Sequence, residues 1–224
     1  MDSLILSFNK KQMLLYKELL TKENIELNFD TDMPKVDKFY IICFDEMISS
    51  MENEAKILFK LKKVASPFVS SFNQEEIKEL TPVYYNALLQ IKRQSDIIRG
   101  EAFKMSSKIG EIDRALADIN KRYANFLPYK AALYNREAYS TKIYEIDSQF
   151  QKNIDALNNL KKELLSLFEK SEKISNIVDD FIQRSSKATD EPKFKNFNYN
   201  DFFWAVEAFL KQLKTIPKIK QKEM

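Results

Sequence analysis

The sequence of 224 residues contains no histidine and only one cysteine. Histidine is the usual general base at neutral pH and the commonest zinc ligand, so its absence excludes most hydrolytic and metal-dependent mechanisms. The single Cys43 cannot form a disulfide within the chain, and the apolar run Tyr40–Phe44 around it predicts packing as a small hydrophobic side chain. The sequence also lacks a glycine-rich phosphate loop, a dinucleotide fingerprint and paired cysteines. We therefore predict a protein that is not an enzyme and needs no cofactor or metal.

Glycine and proline are also scarce, with 2 and 6 residues, whereas 31% of the residues are charged and 44% are hydrophobic. Sheet proteins need many tight turns, and tight turns need glycine and proline, so this composition predicts an all-α protein with long helices. The formal net charge of +3 is too small for indiscriminate binding of nucleic acid, and no nucleic-acid partner is expected. No apolar run is long enough to span a membrane, and the start of the chain is a poor secretory signal, which favours a cytoplasmic protein.

An apolar stripe runs from Tyr84 to Phe126 in alternating steps of four and three residues. Its mean spacing of about 3.5 residues is typical of a helix packed lengthwise in a left-handed bundle or coiled coil. The stripe resumes at Tyr139, one position earlier than the old register. We therefore predict one helix from about Pro82 to Gln151 that is kinked at Pro128. The stripe consists of Tyr84, Leu88, Ile91, Ser95, Ile98, Ala102, Met105, Ile109, Ile112, Leu116, Ile119, Tyr123 and Phe126.

The N-terminal part of the chain is predicted to contain a short helix and a linker. Residues 3–20 have apolar side chains at helical spacing with lysines among them, whereas residues 21–34 have no sustained period. We therefore divide the chain into residues 1–34, an N-terminal amphipathic helix with its linker, and residues 35–224, a helical domain. The short helix is equally compatible with docking on the bundle and with insertion into a lipid interface, since its apolar face suits both.

Breaks in the apolar pattern delimit the other helices of the helical domain. The first long helix is predicted from about Val36 to Ser66–Pro67, where proline interrupts it. The second long helix ends at a tip, residues 152–159, and a third packs antiparallel against it. A break at residues 185–200 precedes a last helix, in which Trp204 is predicted to be buried among phenylalanines.

Basic residues are concentrated near the predicted bend. Between Lys121 and Lys142 the chain has five basic residues and one acid, Glu137, which gives a local net charge of +4. Each basic residue near an anionic lipid surface contributes about 1 kcal/mol, so several together hold a protein on a membrane. An ordinary solvated helix face explains such a run equally well. The predicted membrane-binding residues are Lys10, Lys11, Lys17, Lys121, Arg122, Lys130, Arg136, Lys142, Lys152, Lys161 and Lys162.

Several short segments carry a family resemblance: Phe44–Met47, Glu52–Ala55 with Leu58 and Leu61, Tyr129–Leu133 with Arg136, Glu169–Ser175, Phe194–Phe197 and Phe202–Trp204. Together with three long helices, a proline midway along the second and basic residues near bend and tip, they resemble the BAR domain. This domain is a crescent-shaped dimer that senses or imposes membrane curvature. Within that family, the sequence is most similar to the C-terminal BAR region of retromer-associated sorting nexins, over about residues 36–216.

The resemblance implies a long antiparallel three-helix coiled coil that dimerises into a six-helix bundle, as a homodimer or as a heterodimer with another BAR protein. It implies binding to anionic membranes and phosphoinositides through basic residues on the concave face and the tips. It also implies a peripheral location on endosomal membranes, with the retromer complex as a further partner in protein transport. Sorting nexins of this kind carry a PX domain ahead of the BAR region, for which this chain has no room, so we expect a fragment or a reduced protein.

An alternative function uses the same apolar stripe without lipid contact. The chain would then be a structural coiled-coil tether or a cytoskeletal assembly subunit. In that case reversing the charge of the basic residues would leave its assembly unchanged.

Overall fold

The computed structural model describes residues 8–41, 44–64, 74–188, 199–217 and 222–223. Within these ranges only the main chain is described at residues 40–41, 60–64, 74–81, 186–188, 199–201 and 222–223. This part of the chain contains five helices: α1 (Lys10–Thr21), α2 (Phe44–Val64), α3 (Gln74–Leu133), α4 (Glu137–Ala188) and α5 (Tyr199–Lys214). Two short strands, β1 (Tyr40–Ile41) and β2 (Lys222–Glu223), pair antiparallel with Tyr40 opposite Glu223. The prediction of a helical protein with long packed helices is confirmed.

The chain folds into two compact units. Unit 1 consists of Met1–Asp37 and Ser107–Leu164, and unit 2 consists of Lys38–Ser106 and Leu165–Met224. Both α3 and α4 therefore contribute residues to each unit. The domain boundary predicted after residue 34 stays a prediction.

The predicted apolar stripe forms the inward face of α3. The residues at every seventh position are at most 4% exposed, and the members of the stripe between them are buried or half-buried. In α4 a second set with the same seven-residue spacing is at most 1% exposed. A seven-residue period in both helices is the pattern of lengthwise helix packing. The buried sets are Tyr84, Ile91, Ile98, Met105, Ile112, Ile119 and Phe126 in α3, and Ile143, Phe150, Leu157, Leu164, Ser171, Val178 and Ser185 in α4.

The two long helices are antiparallel in unit 1 and also contact each other in unit 2. In unit 1 the rings of Phe126 and Phe150 are 5.7 Å apart, and Lys161 Nζ lies 2.6 Å from Asp113 Oδ1. In unit 2 the guanidinium of Arg99 is paired with the Asp179 carboxylate. Of the two pairs in unit 1, the one that lies later in α3 lies earlier in α4, which defines a helical hairpin.

A tight turn, Tyr134–Arg136, joins the two helices, and the predicted tip at residues 152–159 is wrong. The amide of Arg136 donates to the carbonyl of Leu133, and the carbonyl of Arg136 accepts from the amides of Tyr139 and Ser140. Arg136 thereby satisfies main-chain groups at the end of one helix and at the start of the next.

The helix predicted from Pro82 to Gln151, with its kink at Pro128, is wrong for the same reason. The last buried position of α3 is Leu133 and the first of α4 is Ile143, so the stripe changes register where the chain reverses direction. α3 continues through Pro128. The shift in the sequence pattern is produced by the turn and not by a bend.

Residues 152–159 remain helical because their inward side chains are buried. Asn153 and Leu157 continue the stripe of α4, and the side-chain amide of Asn153 donates to the Thr31 carbonyl at 2.7 Å. Burial and this hydrogen bond outweigh the weak helix propensity of asparagine.

Other helix ends differ from the predictions. α3 begins at Gln74, upstream of Pro82, because one proline removes a single hydrogen bond without preventing the flanking turns. α2 begins at Phe44, whereas residues 36–39 have no helical structure. The predictions for residues 3–7, Cys43 and Ser66–Pro67 lie outside the described residues.

Aromatic side chains of α5 complete the core of unit 2. The ring of Phe209 stacks on Phe181 of α4 at 4.4 Å, and Phe202 lies 5.5 Å from Tyr84 of α3. Trp204 is 78% exposed, so the prediction that it is buried is wrong. The neighbouring phenylalanines already occupy the inward face of α5 at helical spacing, which directs Trp204 away from the core.

Two adjacent isoleucines provide a test of the buried stripe. Ile98 is fully buried, whereas Ile97 is 43% exposed. Ile98→Ala is expected to lower the free energy of unfolding by about 2–5 kcal/mol, because it removes buried methyl groups and leaves a cavity. Ile97→Ala is expected to lower it by no more than about 0.5 kcal/mol. Urea denaturation of both variants checks this, and equal losses would contradict the assignment of the inward face.

Candidate membrane-binding surface

All the basic residues that the sequence predicts for membrane binding lie in unit 1. Seven of them are exposed, and the other four are half-buried and bonded within the chain. The exposed set is Lys10, Lys11, Lys17, Lys121, Lys142, Lys152 and Lys162. The half-buried set is Arg122, Lys130, Arg136 and Lys161.

Lys130 forms a polar contact across the hairpin near the turn. Its Nζ lies 2.7 Å from Asp147 Oδ1, and the Tyr123 hydroxyl donates to the same oxygen at 2.9 Å. Burial alone would lower the pKa of Lys130, but the hydrogen bond to Asp147 and the neighbouring charges raise it above its ordinary value. Burial, and then the bond to Asp147, raise the pKa of Tyr123. The cation of Lys130 is therefore neutralised within the fold.

Two arginines hold the N-terminal segment on the hairpin. Arg122 pairs with Asp118 of its own helix and with Asp30 at 2.8 Å. Arg136 donates to the carbonyls of Leu20 and, at 3.1 Å, of Lys22. Because these guanidiniums already have partners, their predicted role at a membrane stays a prediction.

Helix α1 is docked on unit 1. Its first turn is closed by a capping box, in which the Gln12 amide donates to Asn9 Oδ1 at 3.0 Å and the Asn9 amide donates to Gln12 Oε1 at 3.1 Å. Phe8 and Leu19 are buried, which is the docked alternative of the two that the sequence left open.

The side chain of Gln12 also donates a hydrogen bond that α3 cannot form by itself. Proline has no amide hydrogen, so Pro128 cannot donate to the carbonyl four residues earlier, that of Ala124. Gln12 Nε2 donates to that carbonyl at 2.8 Å. A residue of α1 thus supplies the hydrogen bond that Pro128 removes, and α3 continues to Leu133.

The turn end of unit 1 combines exposed lysines with exposed apolar and aromatic side chains. Tyr134 of the turn is 51% exposed and Tyr144 of α4 is 65% exposed. Leu20, whose carbonyl accepts from Arg136, is 45% exposed. Tyrosine and lysine suit a membrane interface because each has an apolar body and a polar end. This combination can contact anionic lipid headgroups without a change in the fold.

Sequence reasoning missed the role of the segment between α1 and β1: it assigned residues 21–34 to a linker and began the first long helix at about Val36. Residues 22–37 have no helical structure and lie along unit 1, where the ring centroid of Phe29 is 5.1 Å from that of Phe126 and 4.9 Å from that of Tyr129. The signal that could have found it is the strict alternation of Ile25, Leu27 and Phe29 with polar residues, which is the period of an extended strand.

Within the described part of the chain, no helix is long and apolar enough to cross a membrane, and no cluster of acidic and cysteine side chains could hold a metal ion. Comparison of the chain with protein-family models, curated proteins and solved structures finds no match.

A double-mutant cycle tests the link between Gln12 and Pro128. Gln12→Ala is expected to destabilise the native protein, because it removes a capping contact and leaves the Ala124 carbonyl without its donor. In a Pro128→Ala background the main-chain amide of residue 128 can bond the Ala124 carbonyl. Gln12→Ala should then lower the free energy of unfolding by less than it does in wild type. The expected coupling is about 0.5–1.5 kcal/mol by urea denaturation. Additive costs would show that the two sites are independent.

Alkaline pH is expected to weaken unit 1. The raised pKa values of Lys130 and Tyr123 mean that the folded state holds these protons more tightly than the unfolded chain. The resulting stability is complete below their ordinary pKa values of about 10 and is lost as pH rises through the raised values. Free energies of unfolding measured from about pH 9 to about pH 11.5 should fall more steeply for wild type than for Lys130→Met/Tyr123→Phe. Lys142→Met, at an exposed site, is the control and should follow wild type.

Proposed function

We propose that this chain is a peripheral membrane-binding scaffold of the BAR type, which senses or induces curvature and acts with retromer in endosomal protein transport. The observation that supports it is the position of the basic run. The residues from Lys121 to Lys142 surround the turn between the two long helices of unit 1, and not a bend within one helix. Lys121 and Lys142 of this run are exposed, and exposed basic residues are attracted to an anionic membrane surface.

The proposed contact surface consists of the exposed lysines and the two exposed tyrosines. α1 extends it, because Gln12 contacts Ala124 and Leu20 contacts Arg136, so α1 runs beside the last turns of α3. Docking therefore brings Lys10, Lys11 and Lys17 into the same part of unit 1 as Lys121. We assign the four half-buried basic residues to the support of this surface.

A second copy of the chain, or another BAR protein, is proposed to cover an apolar face of unit 2. Tyr85, Leu89 and Phe103 lie on one side of α3 and are 42%, 47% and 78% exposed. Trp204 on α5 is as exposed as Phe103. Exposed apolar side chains of this size mark surfaces that bind other proteins or membranes. A dimer would double the number of lysines that act on one membrane.

The same apolar residues favour a second candidate function. A structural coiled-coil subunit, such as a tether or a cytoskeletal component, would also bury them in an assembly. This reading is favoured further by the bonds within the fold that the half-buried basic residues already make: Arg122, Lys130 and Lys161 are in ion pairs, and Arg136 bonds main-chain carbonyls. Assembly alone does not separate the two functions, so lipid binding is the property to measure.

The test is co-sedimentation with phosphatidylserine-rich vesicles of two diameters. The variant is Lys10→Glu/Lys11→Glu/Lys121→Glu, at exposed sites, since reversal of Arg122 or Lys130 would break bonds of the fold. Each lysine contributes about 1 kcal/mol at an anionic surface, so this variant should lose about 3 kcal/mol, or about a hundredfold in the binding constant. Wild-type binding should weaken as salt concentration rises.

The matched control carries the same change of charge in unit 2, as Lys92→Glu/Lys173→Glu/Lys214→Glu, and all three side chains are exposed. If the membrane-binding surface lies in unit 1, this control should bind the vesicles with nearly the affinity of wild type. Equal losses in both triple variants would contradict the proposed surface. Absence of vesicle binding by wild type at low salt, with an intact oligomer by light scattering, would favour the structural subunit instead.

A further inference from the structure

Residues 22–37, here called the strap, lie along the hairpin of unit 1, which is formed by residues 107–133 of α3 and 137–164 of α4. The first residues of the strap contact the turn end, where Tyr139 bonds Glu23. The last residues contact α3 where Lys108 bonds Asp37, about eight helical turns before the turn that joins α3 to α4. A span of this size requires fifteen residues to be almost fully extended.

The hairpin holds the main chain of the strap through its side chains. At the N-terminal end Tyr139 donates to the Glu23 carbonyl at 3.0 Å and accepts from the Ile25 amide at 3.1 Å. At the C-terminal end Lys108 donates to the Asp37 carbonyl at 2.8 Å, and Glu111 accepts from the Asp37 amide at 2.9 Å. The bond from Lys108, and then the bond from the Asp37 amide, lower the pKa of Glu111 and favour its charged form.

Two more side chains bond the middle of the strap. Asn153 donates to the Thr31 carbonyl at 2.7 Å, and Arg122 donates to the Asp32 carbonyl at 3.1 Å. Main-chain carbonyls and amides are the same in every residue, so these bonds recognise an extended backbone and not a sequence. The same hydrogen bonds are open to an extended segment of another chain.

Side-chain contacts add selectivity at two adjacent positions. Phe29 makes edge-to-face contacts with Phe126 and Tyr129, and the following Asp30 pairs with Arg122. Ile25 is buried and Leu27 is half-buried, while the polar residues that follow them, Glu26 and Asn28, are exposed. The hairpin therefore favours alternating apolar residues that end in an aromatic residue followed by an acid.

The strap has properties of a ligand that exchanges. Among its described contacts, the main chain of the strap bonds side chains and not a neighbouring strand; these side chains belong to the hairpin and its turn, apart from Asp30, which accepts from the Asp32 amide within the strap. The Asp30 carboxylate in its central ion pair is 62% exposed, and exposed pairs are weak. Its attachment to the chain favours its occupancy of the hairpin, since a tethered segment acts at an effective concentration on the order of millimolar.

We propose that the hairpin of unit 1 is a binding site for an extended peptide of another protein, of the form apolar-x-apolar-x-aromatic-acidic, and that the strap occupies it as an intramolecular ligand. Release of the strap opens the site. This inference does not depend on membrane binding, since every contact that carries it lies between the strap and the hairpin.

The experiment uses the full-length chain and a fluorescein-labelled peptide with the sequence of residues 22–37. Phe29→Ala in the chain removes the anchor of the strap. Fluorescence anisotropy should then show that the peptide binds this variant at least about tenfold more tightly than wild type, because the tethered competitor is weakened. A second chain, in which residues 25–31 are replaced by Gly and Ser at unchanged length, should bind the peptide more tightly than wild type as well.

Two controls make the outcome specific. A peptide carrying the Phe29→Ala change should bind neither chain, and adding Arg122→Gln to the Gly-Ser chain should weaken binding of the unchanged peptide. Hydrogen exchange reports whether the hairpin is intact, through protection of α3 and α4. Failure of the peptide to bind either opened chain while α3 and α4 remain protected would overturn the proposal. Equal affinity for wild type and both opened chains would overturn it too, because the strap would not occupy the site.

Discussion

Lengthwise burial of one side-chain row from each of two antiparallel helices is the constraint on which the rest of the structure depends. The rows of α3 and α4 recur every seven residues and are almost completely buried, including the serines at 171 and 185. Since each row is narrow, each helix also has wide flanks that other segments must cover or leave to solvent. In unit 1 the flanks receive α1 and the strap, and in unit 2 they receive α5, against which α2 packs.

Polar contacts decide how those segments are placed in unit 1. Gln12 satisfies a carbonyl that Pro128 leaves without a donor, while Arg122 and Arg136 bind carbonyl oxygens of the N-terminal segment. Hydrophobic packing has little directional preference, whereas a hydrogen bond needs a defined distance and angle, so these bonds select one position among many. Two of the residues that hold the N-terminal segment, Arg122 and Arg136, are therefore among those that the sequence predicts for membrane binding.

Basic residues of unit 1 are thus of two kinds, those bonded within the fold and those exposed to solvent, and both proposals depend on this difference. A positive charge that is bonded within the fold contributes little to attraction of a lipid surface, whereas an exposed lysine contributes through its charge alone. The exposed lysines support the proposed membrane surface, and the bonded arginines support the peptide site. The two sites share unit 1, and a peptide that displaced the strap would also release Arg122 from Asp30.

The sequence by itself determined the helical class, the inward face of α3 and the basic run from Lys121 to Lys142, because helix propensity, apolar period and charge are local properties of the chain. It did not determine where the chain reverses: a change of register looks the same whether a helix bends or turns back, and only the contact of Phe126 with Phe150 distinguishes the two. Trp204 was predicted wrongly because composition alone does not reveal which side of α5 faces the core. The tertiary structure alone decided that a carbonyl freed by Pro128 meets Gln12, and that residues 22–37 lie against the hairpin. Both depend on groups more than a hundred residues apart in the sequence, which no local pattern brings together.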